Sequence, residues 1–336
     1  MGNRTIWLMI NVTFDCNRNC SFCYVQDEWS GTITKQVIEK LVSRYKEHLE
    51  KYGHSRHNIV SLFGGEPLLY KELSVKVIES LKEITPDIFR DVFTNGDLLD
   101  EDFVKWSKET RTTIYLSANN SSLEFLSEKM ELVSKYRKYA GLSIVLSKQN
   151  LNRLDFLVDL CATYNFHPRL RHEYGGGIDK DYISLYDKIL PKTIQRVLDR
   201  NYIFFPHFFY EMTAPFWNKP YFDHTCGKKY FVIDPNGDVR ICLAQGTKIG
   251  NLFDEDFEFV EKMKFHKHPI FRFEGIVECE KCEFKILCGG GCPLSKLIAF
   301  NDTRRESPFC STFKKVFPMI SELERRWENV GRKVNF

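Results

Sequence analysis

Eleven cysteines fall into two tight groups and a singleton, and this spacing constrains the 336-residue chain more than anything else in it. Cys16, Cys20 and Cys23 make the first group; Cys226, Cys242, Cys279, Cys282, Cys288, Cys292 and Cys310 make the second. Cysteines so close together bring several thiolates within reach of one centre, which is how metal sites are made. A disulfide framework suits a small secreted chain, whereas 43% of these residues are hydrophobic, enough for a large core. The apolar run Ile6–Ile10 is too short for a signal peptide, and Ile6 stands where myristoylation wants a hydroxyl. Cys161 lies among Leu157, Leu160 and Tyr164 at helical spacing and reads as a core residue. The pattern therefore implies metal chemistry in a reducing compartment, the cytoplasm.

Charge and hydropathy remove two classes of partner. The net charge of +3 is too balanced for a protein that grips a nucleic-acid backbone. No apolar stretch approaches the ~18 residues of a membrane span.

Residues 6–172 alternate strand-like and helix-like segments. Strands are expected at Ile6–Thr13, Ile59–Phe63, Asp91–Phe93, Thr113–Leu116, Leu142–Leu146 and Pro168–His172. Helical spacing links Val37, Leu41, Tyr45 and Leu49; then Leu73, Val77, Leu81 and Ile84; then Leu151, Leu154, Leu157, Val158 and Leu160. Six such units predict an α/β fold with a parallel sheet, open or curled into a partial (β/α)6 TIM-like barrel, whose site forms at the C-terminal strand ends. The notable residues lie there: the first cysteines, Gly64-Gly65-Glu66-Pro67, Thr94-Asn95-Gly96 and Ser117. The expected domains are the barrel over 1–178, a bridge over 179–225 and a loop-rich, cysteine-rich region over 226–336. The last holds a hairpin across Val232–Val239 and a terminal helix through Phe317, Ile320, Leu323 and Trp327.

Three thiolates are one short of a closed zinc site, and Asp15, Asn17 and Arg18 are poor fourth ligands. An iron–sulfur cube on three thiolates instead leaves one iron open to a small molecule. Here Cys16-Asn17-Arg18-Asn19-Cys20-Ser21-Phe22-Cys23 resembles the CxxxCxΦC signature of the radical S-adenosylmethionine (radical SAM) enzymes, and Gly64-Gly65-Glu66-Pro67 resembles their GGEP motif. The resemblance implies reductive cleavage of S-adenosylmethionine to a 5′-deoxyadenosyl radical that takes a substrate hydrogen. It implies that Phe22 lies near adenine, that the Gly64–Glu66 backbone and carboxylate of the motif ending in Pro67 receive the methionine ammonium, and that Asn95 and Ser117 lie near ribose and methionine; strand position alone adds Leu170 to Tyr174 as adenine contacts. Lys129 stands where related enzymes carry an Arg toward the cofactor carboxylate; it keeps the charge and loses the bidentate fork.

The second group, Cys226-x10-Gly237-x4-Cys242, then Cys279-x2-Cys282-x5-Cys288-x3-Cys292, then Cys310, resembles the SPASM extension of that family. Its connectivity implies two auxiliary 4Fe–4S clusters, three clusters in all. Cys279, Cys282, Cys288 and Cys310 would fill one. Cys226, Cys242 and Cys292 would hold the other, its fourth position open or completed by Asp223 or His224. Gly289-Gly290-Gly291 would let backbone N–H groups approach the sulfurs. A pair of zinc sites is the alternative from spacing alone.

SPASM-bearing relatives mostly modify peptides or proteins, which implies a ribosomal-peptide maturase acting by crosslinking, thioether formation or epimerisation. It also implies an external electron donor of flavodoxin or ferredoxin type. The first strand begins too near Met1 for a fused leader-binding domain, so leader recognition falls to a separate protein, to the enzyme's own surface, or is dispensed with. The competing reading is an anaerobic sulfatase maturase. Those enzymes carry an Asp after the second SPASM cysteine, where this chain has Leu243, and an eighth cysteine missing here. Another class, the non-catalytic iron–sulfur electron carrier, has no need of GGEP. His172 and Glu173 are the candidates for proton transfer, followed by His207 and Glu211 on the aromatic bridge from Phe204 to Trp217, whose rings line a cavity or pack a core.

Overall fold

The computed structural model describes residues 6–25, 28–54, 58–137, 139–174, 177–202, 204, 230–244, 246–259 and 276–331. Cys226, Asp223, His224, His207, Glu211 and the aromatic bridge beyond Phe204 lie outside the described residues. The chain divides into two compact units, Met1–Leu116 with Thr225–His268, and Ser117–His224 with Pro269–Phe336.

In the first unit, β1 (Trp7–Asn11), β2 (Ile59–Phe63), β3 (Phe89–Thr94) and β4 (Thr112–Ser117) pair in parallel, in sequence order. All five residues of β1 are buried, as expected of a parallel strand covered on both faces. The helices between the strands are α1 (Lys35–Tyr52), α2 (Lys71–Ile84) and α3 (Glu101–Glu109). The Thr34 and Asp100 side chains cap α1 and α3 by accepting from the backbone N–H of Val37 and Phe103. Val37, Ile38, Leu41, Tyr45 and Leu49 form the buried stripe of α1, the spacing its sequence predicts.

The expected hairpin is present. Strands β7 (Tyr230–Ile233) and β8 (Asp238–Arg240) are antiparallel, and β9 (Lys248–Asn251) follows β8. Strand β7 also pairs in parallel with β1, Trp7 opposite Tyr230 and Ile10 opposite Ile233. Arg240 anchors the hairpin: its guanidinium lies 2.6 and 2.7 Å from the two Asp234 carboxylate oxygens and 4.0 Å from the ring centre of Trp29.

The second unit contains α4 (Leu123–Tyr136), β5 (Ala140–Val145), α5 (Lys148–Asn152), α6 (Leu154–Tyr164), β6 (Phe166–Arg171) and α7 (Lys180–Asp199). Strands β5 and β6 pair in parallel along their whole length. The single helical run expected through Leu151–Leu160 is two helices broken at Arg153. The Arg153 guanidinium leaves the helical path to donate to the Ala118 and Ser121 carbonyls, both at 2.5 Å. Short helices α8 (Val277–Glu280), α9 (Lys285–Cys288) and α10 (Pro293–Phe300) carry the later cysteines, and α11 (Cys310–Gly331) is the expected terminal helix. Among the described residues, no helix is long and apolar enough to cross a membrane.

Candidate functional site

In the first unit the cysteine loop leaves β1 and is closed at its neck. The Phe14 N–H donates to the Gly31 carbonyl at 3.0 Å, and the Ile33 N–H to the Val12 carbonyl at 2.7 Å. The loop rests on the glycine turn after β2, where the N–H groups of Gly65 and Glu66 donate to the carbonyls of Thr13 and Asp15 at 2.7 and 2.8 Å. A Cβ on Gly64 would lie 2.1 Å from the Thr13 oxygen, and one on Gly65 2.0 Å from the Asp15 oxygen. Both distances are impossible for real atoms, so glycine here is required by backbone against backbone.

The far side of the loop is tied to the turn after β3. Arg18 donates to Asp97 through Nε at 2.8 Å and Nη2 at 2.5 Å, and Asn17 reaches the same carboxylate at 2.9 Å. Asn95 Nδ2 donates to Asn17 Oδ1 at 2.7 Å and faces Cys16 Sγ at 4.0 Å. Tyr70 closes the circuit by donating to Asp15 at 2.8 Å. Three strand-end loops are thus stitched together around Cys16. The motifs make Asn95 visible in the sequence; they give no signal for Asp97 or Tyr70, whose partners are 79 and 55 residues away.

Glu66 is 1% exposed. Its Oε1 accepts from the Leu68 N–H at 3.0 Å and the Thr94 hydroxyl at 2.7 Å, and its Oε2 from the Asn95 N–H at 2.6 Å. Two oxygens offer about four acceptor directions, so room for roughly one further donor remains. Burial holds this carboxyl above the usual carboxylate range, and its three donors offset only part of that rise. Glu66 therefore locks the turns after β2 and β3 together, a task that the motif resemblance does not reveal.

Cys16 and Cys23 are exposed and Cys20 is half-buried. Burial raises the Cys16 thiol, the Arg18 N–H opposes it, and the charges of Glu66 and Cys23 raise it again. Phe22, between the last two cysteines, is buried. Tyr24 donates to the Gly64 carbonyl at 3.2 Å.

In the second unit Ser117 ends β4, its Oγ accepting from the Asn119 N–H at 3.4 Å, and Leu170 is buried in β6. Lys129 lies on α4, 3.6 Å from Glu128 and over the Phe125 ring. The His172 ring is buried and stacks on Phe309 at 4.9 Å with 5° between planes, with the Tyr186 hydroxyl 3.5 Å from its Nδ1. Glu173 is also buried, and burial raises its carboxyl while Lys148 lowers it.

The later cysteines gather around α8 to α11. The Cys288 thiol is pushed up to about 12 by burial, then by the charges of Cys310 and Cys279. Cys310 is also pushed up to about 12, by burial and then by Glu306. Cys282 adds to the charge felt by both Cys279 and Cys288. Among the described residues no three His, Cys, Asp or Glu side chains converge as on a single metal ion. These four thiols are nevertheless near enough to feel one another's charge. Such a donor set fits a polynuclear iron–sulfur group, whose positive irons would offset the burial and mutual repulsion of the thiolates. Within the triple glycine, Gly290 turns its N–H to the Cys288 sulfur, while Gly289 and Gly291 donate to the carbonyls of Lys285 and Cys288. A Cβ on Gly291, at φ +79°, would lie 2.5 Å from Ser307 Cβ. Cys242 is half-buried just past β8, in the first unit.

Residues 10–150 match the radical SAM superfamily, and residues 225–283 match an iron–sulfur cluster-binding domain, SPASM. A cysteine-type anaerobic sulfatase-maturating enzyme of Clostridium novyi is 21% identical over 90% of this chain and 91% of its own length. Among solved structures, native anSMEcpe with bound AdoMet superposes with a TM-score of 0.72 at 20% identity, covering 96% of this chain and 99% of that one. Streptococcus suis SuiB bound to its precursor peptide SuiA gives a TM-score of 0.64 at 18% identity, over 90% of this chain and 76% of that one. These likenesses show an α/β fold of the radical SAM type. The chain carries a radical SAM domain followed by a SPASM iron–sulfur domain.

Proposed function

We propose that this chain cleaves S-adenosylmethionine reductively and modifies a side chain or α-carbon of a ribosomally made peptide. The observation that carries the reading is the stitched junction around Cys16, where two exposed thiols, a glycine turn and the Asn95 loop meet in one unit. A 4Fe–4S cluster on Cys16, Cys20 and Cys23 would supply the electron that breaks the sulfonium bond and yields the 5′-deoxyadenosyl radical. Gly64 and Gly65 keep the cysteine loop close to β2, and Glu66 holds the Asn95 backbone in place. Phe22, Pro67, Ser117, Leu170 and Lys129 complete the proposed S-adenosylmethionine contacts. Cys279, Cys282, Cys288 and Cys310 are proposed as one auxiliary ligand set, and Cys226, Cys242 and Cys292 as the other. The substrate is a peptide or protein, and a flavodoxin- or ferredoxin-type donor supplies electrons.

Sulfatase maturation is the second reading, supported by the Clostridium novyi relative. Leu243, with no group to accept a proton, weighs against it. The test is anaerobic reconstitution with iron and sulfide counting. The chain is then incubated with dithionite, S-adenosylmethionine and either a sulfatase-derived cysteine peptide or a peptide encoded beside the gene, and 5′-deoxyadenosine and peptide mass are read out. About twelve irons per chain and a mass change in the gene-linked peptide alone are expected. Conversion of the sulfatase peptide would establish the second reading, and zinc without sulfide would sink both.

A further inference from the structure

Trp29 belongs to the loop that carries the first cysteines, and Arg240 ends β8 far later in the chain, yet the two meet within the first unit. The neck of the loop is closed by hydrogen bonds. Besides the two backbone bonds already described, Thr13 pairs with Thr32 as an isolated antiparallel bridge, and their hydroxyls lie 3.0 Å apart. Beyond the neck the loop leans on the hairpin. The Arg240 guanidinium carbon lies 4.0 Å from the centre of the Trp29 ring, and the Phe14 ring lies 5.6 Å from the indole. The backbone at Gly246 runs so close that a Cβ there would lie 3.5 Å from Trp29, and a Cβ on Gly31 would lie 3.7 Å from Pro235. Arg240 is itself held from behind. Its Nε and Nη2 donate to the Asp234 carboxylate at 2.6 and 2.7 Å, and its Nη1 reaches the Leu243 carbonyl at 3.4 Å. Asn11, at the end of β1, donates to the same carboxylate at 2.9 Å. The arginine and aspartate side chains are only 4% and 12% exposed. A buried ion pair is a weak source of net stability. This one holds a planar cation against an indole, a stack that an ammonium reproduces poorly.

We propose that Trp29 and Arg240 are positioning residues of the S-adenosylmethionine reaction: the Asn11–Asp234–Arg240 chain presents a cation to Trp29, and that contact holds the Cys16–Cys23 loop in its working shape. The inference rests on the reading of this loop as the cluster and S-adenosylmethionine site. The neck bonds fix the ends of the loop, and the Arg18–Asp97 pair fixes its far side. Trp29 adds a third attachment, to the hairpin of a later part of the chain. Three thiolates that must converge on one group need such a constraint, because small misplacements at a reacting centre are costly.

The test uses the full-length chain, reconstituted anaerobically with iron and sulfide, carrying Trp29→Leu, Trp29→Tyr, or Asp234→Asn together with Arg240→Met. Hydrogen–deuterium exchange is followed by mass spectrometry over residues 14–33 and, as a control, over β7. The KM and kcat of dithionite-driven S-adenosylmethionine cleavage are measured alongside. Trp29→Leu should speed exchange of residues 14–33 about tenfold, the weight of one such stack, and lower kcat/KM by a similar factor while β7 is unchanged. Trp29→Tyr keeps an aromatic face and should recover most of both. The Asp234→Asn, Arg240→Met chain should match Trp29→Leu, and adding Trp29→Leu to it should change nothing further. Unchanged exchange in Trp29→Leu, or faster exchange with unchanged cleavage, would overturn the proposal. If the doubly substituted chain does not fold, the comparison of Trp29→Leu with Trp29→Tyr decides alone. A parent that holds no iron and cleaves no S-adenosylmethionine refutes the reading of the loop itself, a failure distinct from an active parent whose substitutions have no effect.

Discussion

The Cys16–Cys23 loop and the cysteines of α8 to α11 are held by different physics. The loop is tethered by polar contacts, Arg18 to Asp97, Asn17 to Asn95 and Tyr70 to Asp15, and by backbone pressed on Gly64 and Gly65. Two of its thiols stay exposed. In the second unit the thiols lie beside a buried lysine and an aromatic cluster in which Phe309 meets Tyr186 at 4.4 Å and His172 at 4.9 Å. On the proposed function the loop admits a small molecule, which fits a loop fixed at its rim and left open. The described later thiols are all half-buried, and partial enclosure strengthens any charge that lies beside them.

The contrast can be broken most decisively at the first cysteines. Cys16→Ala or Cys20→Ala should reduce S-adenosylmethionine cleavage to background while auxiliary iron, measured by counting, is retained; loss of all iron would mean the two regions do not assemble independently. Gly65→Ala comes next, since its Cβ must displace the Asp15 carbonyl. Cofactor cleavage should fall about a hundredfold, the scale of a ~1 Å misplacement, again with auxiliary iron retained.

Acid separates the regions on the stability axis. Burial lowers His167 to about 4, beneath a ring stack with Tyr139 at 5.9 Å and an edge contact with Trp327 at 6.1 Å. The folded pKa lies below the unfolded one, so this contribution is complete above pH ~6.5 and is lost as pH falls toward 4, on the order of 2 to 3 kcal/mol. His167→Gln should flatten the acid limb of a denaturation series across that window. The smallest effect is expected from Arg18→Ala. Its ion pair is partly solvated, so stability should drop by less than about 1 kcal/mol, and the difference should shrink in high salt.

Most of the sheet is legible because period and punctuation are local. The strand at Ile59–Phe63 and the hairpin turn over Asp234–Gly237 are set by residues within a few positions of one another. The cysteine and glycine motifs are legible for the same reason. What sequence does not reveal is who meets whom. Nothing near Asp97 announces Arg18, and nothing in Tyr230–Ile233 announces β1. The break at Arg153 was hidden by an unbroken apolar period; the carbonyls that draw its guanidinium out belong to a loop more than thirty residues earlier.

The pairing of β7 with β1 has a consequence in time. Until Tyr230–Ile233 leaves the ribosome, one edge of the most buried strand in the first unit lacks its final neighbour. At 5–20 residues per second that wait is roughly 10 to 45 s, long compared with strand pairing itself. An apolar edge open for so long is a template for wrong partners. Slow delivery of the last third should therefore favour wrong pairing, and synonymous codon changes that slow translation between β6 and β7 should lower yield without touching the finished molecule.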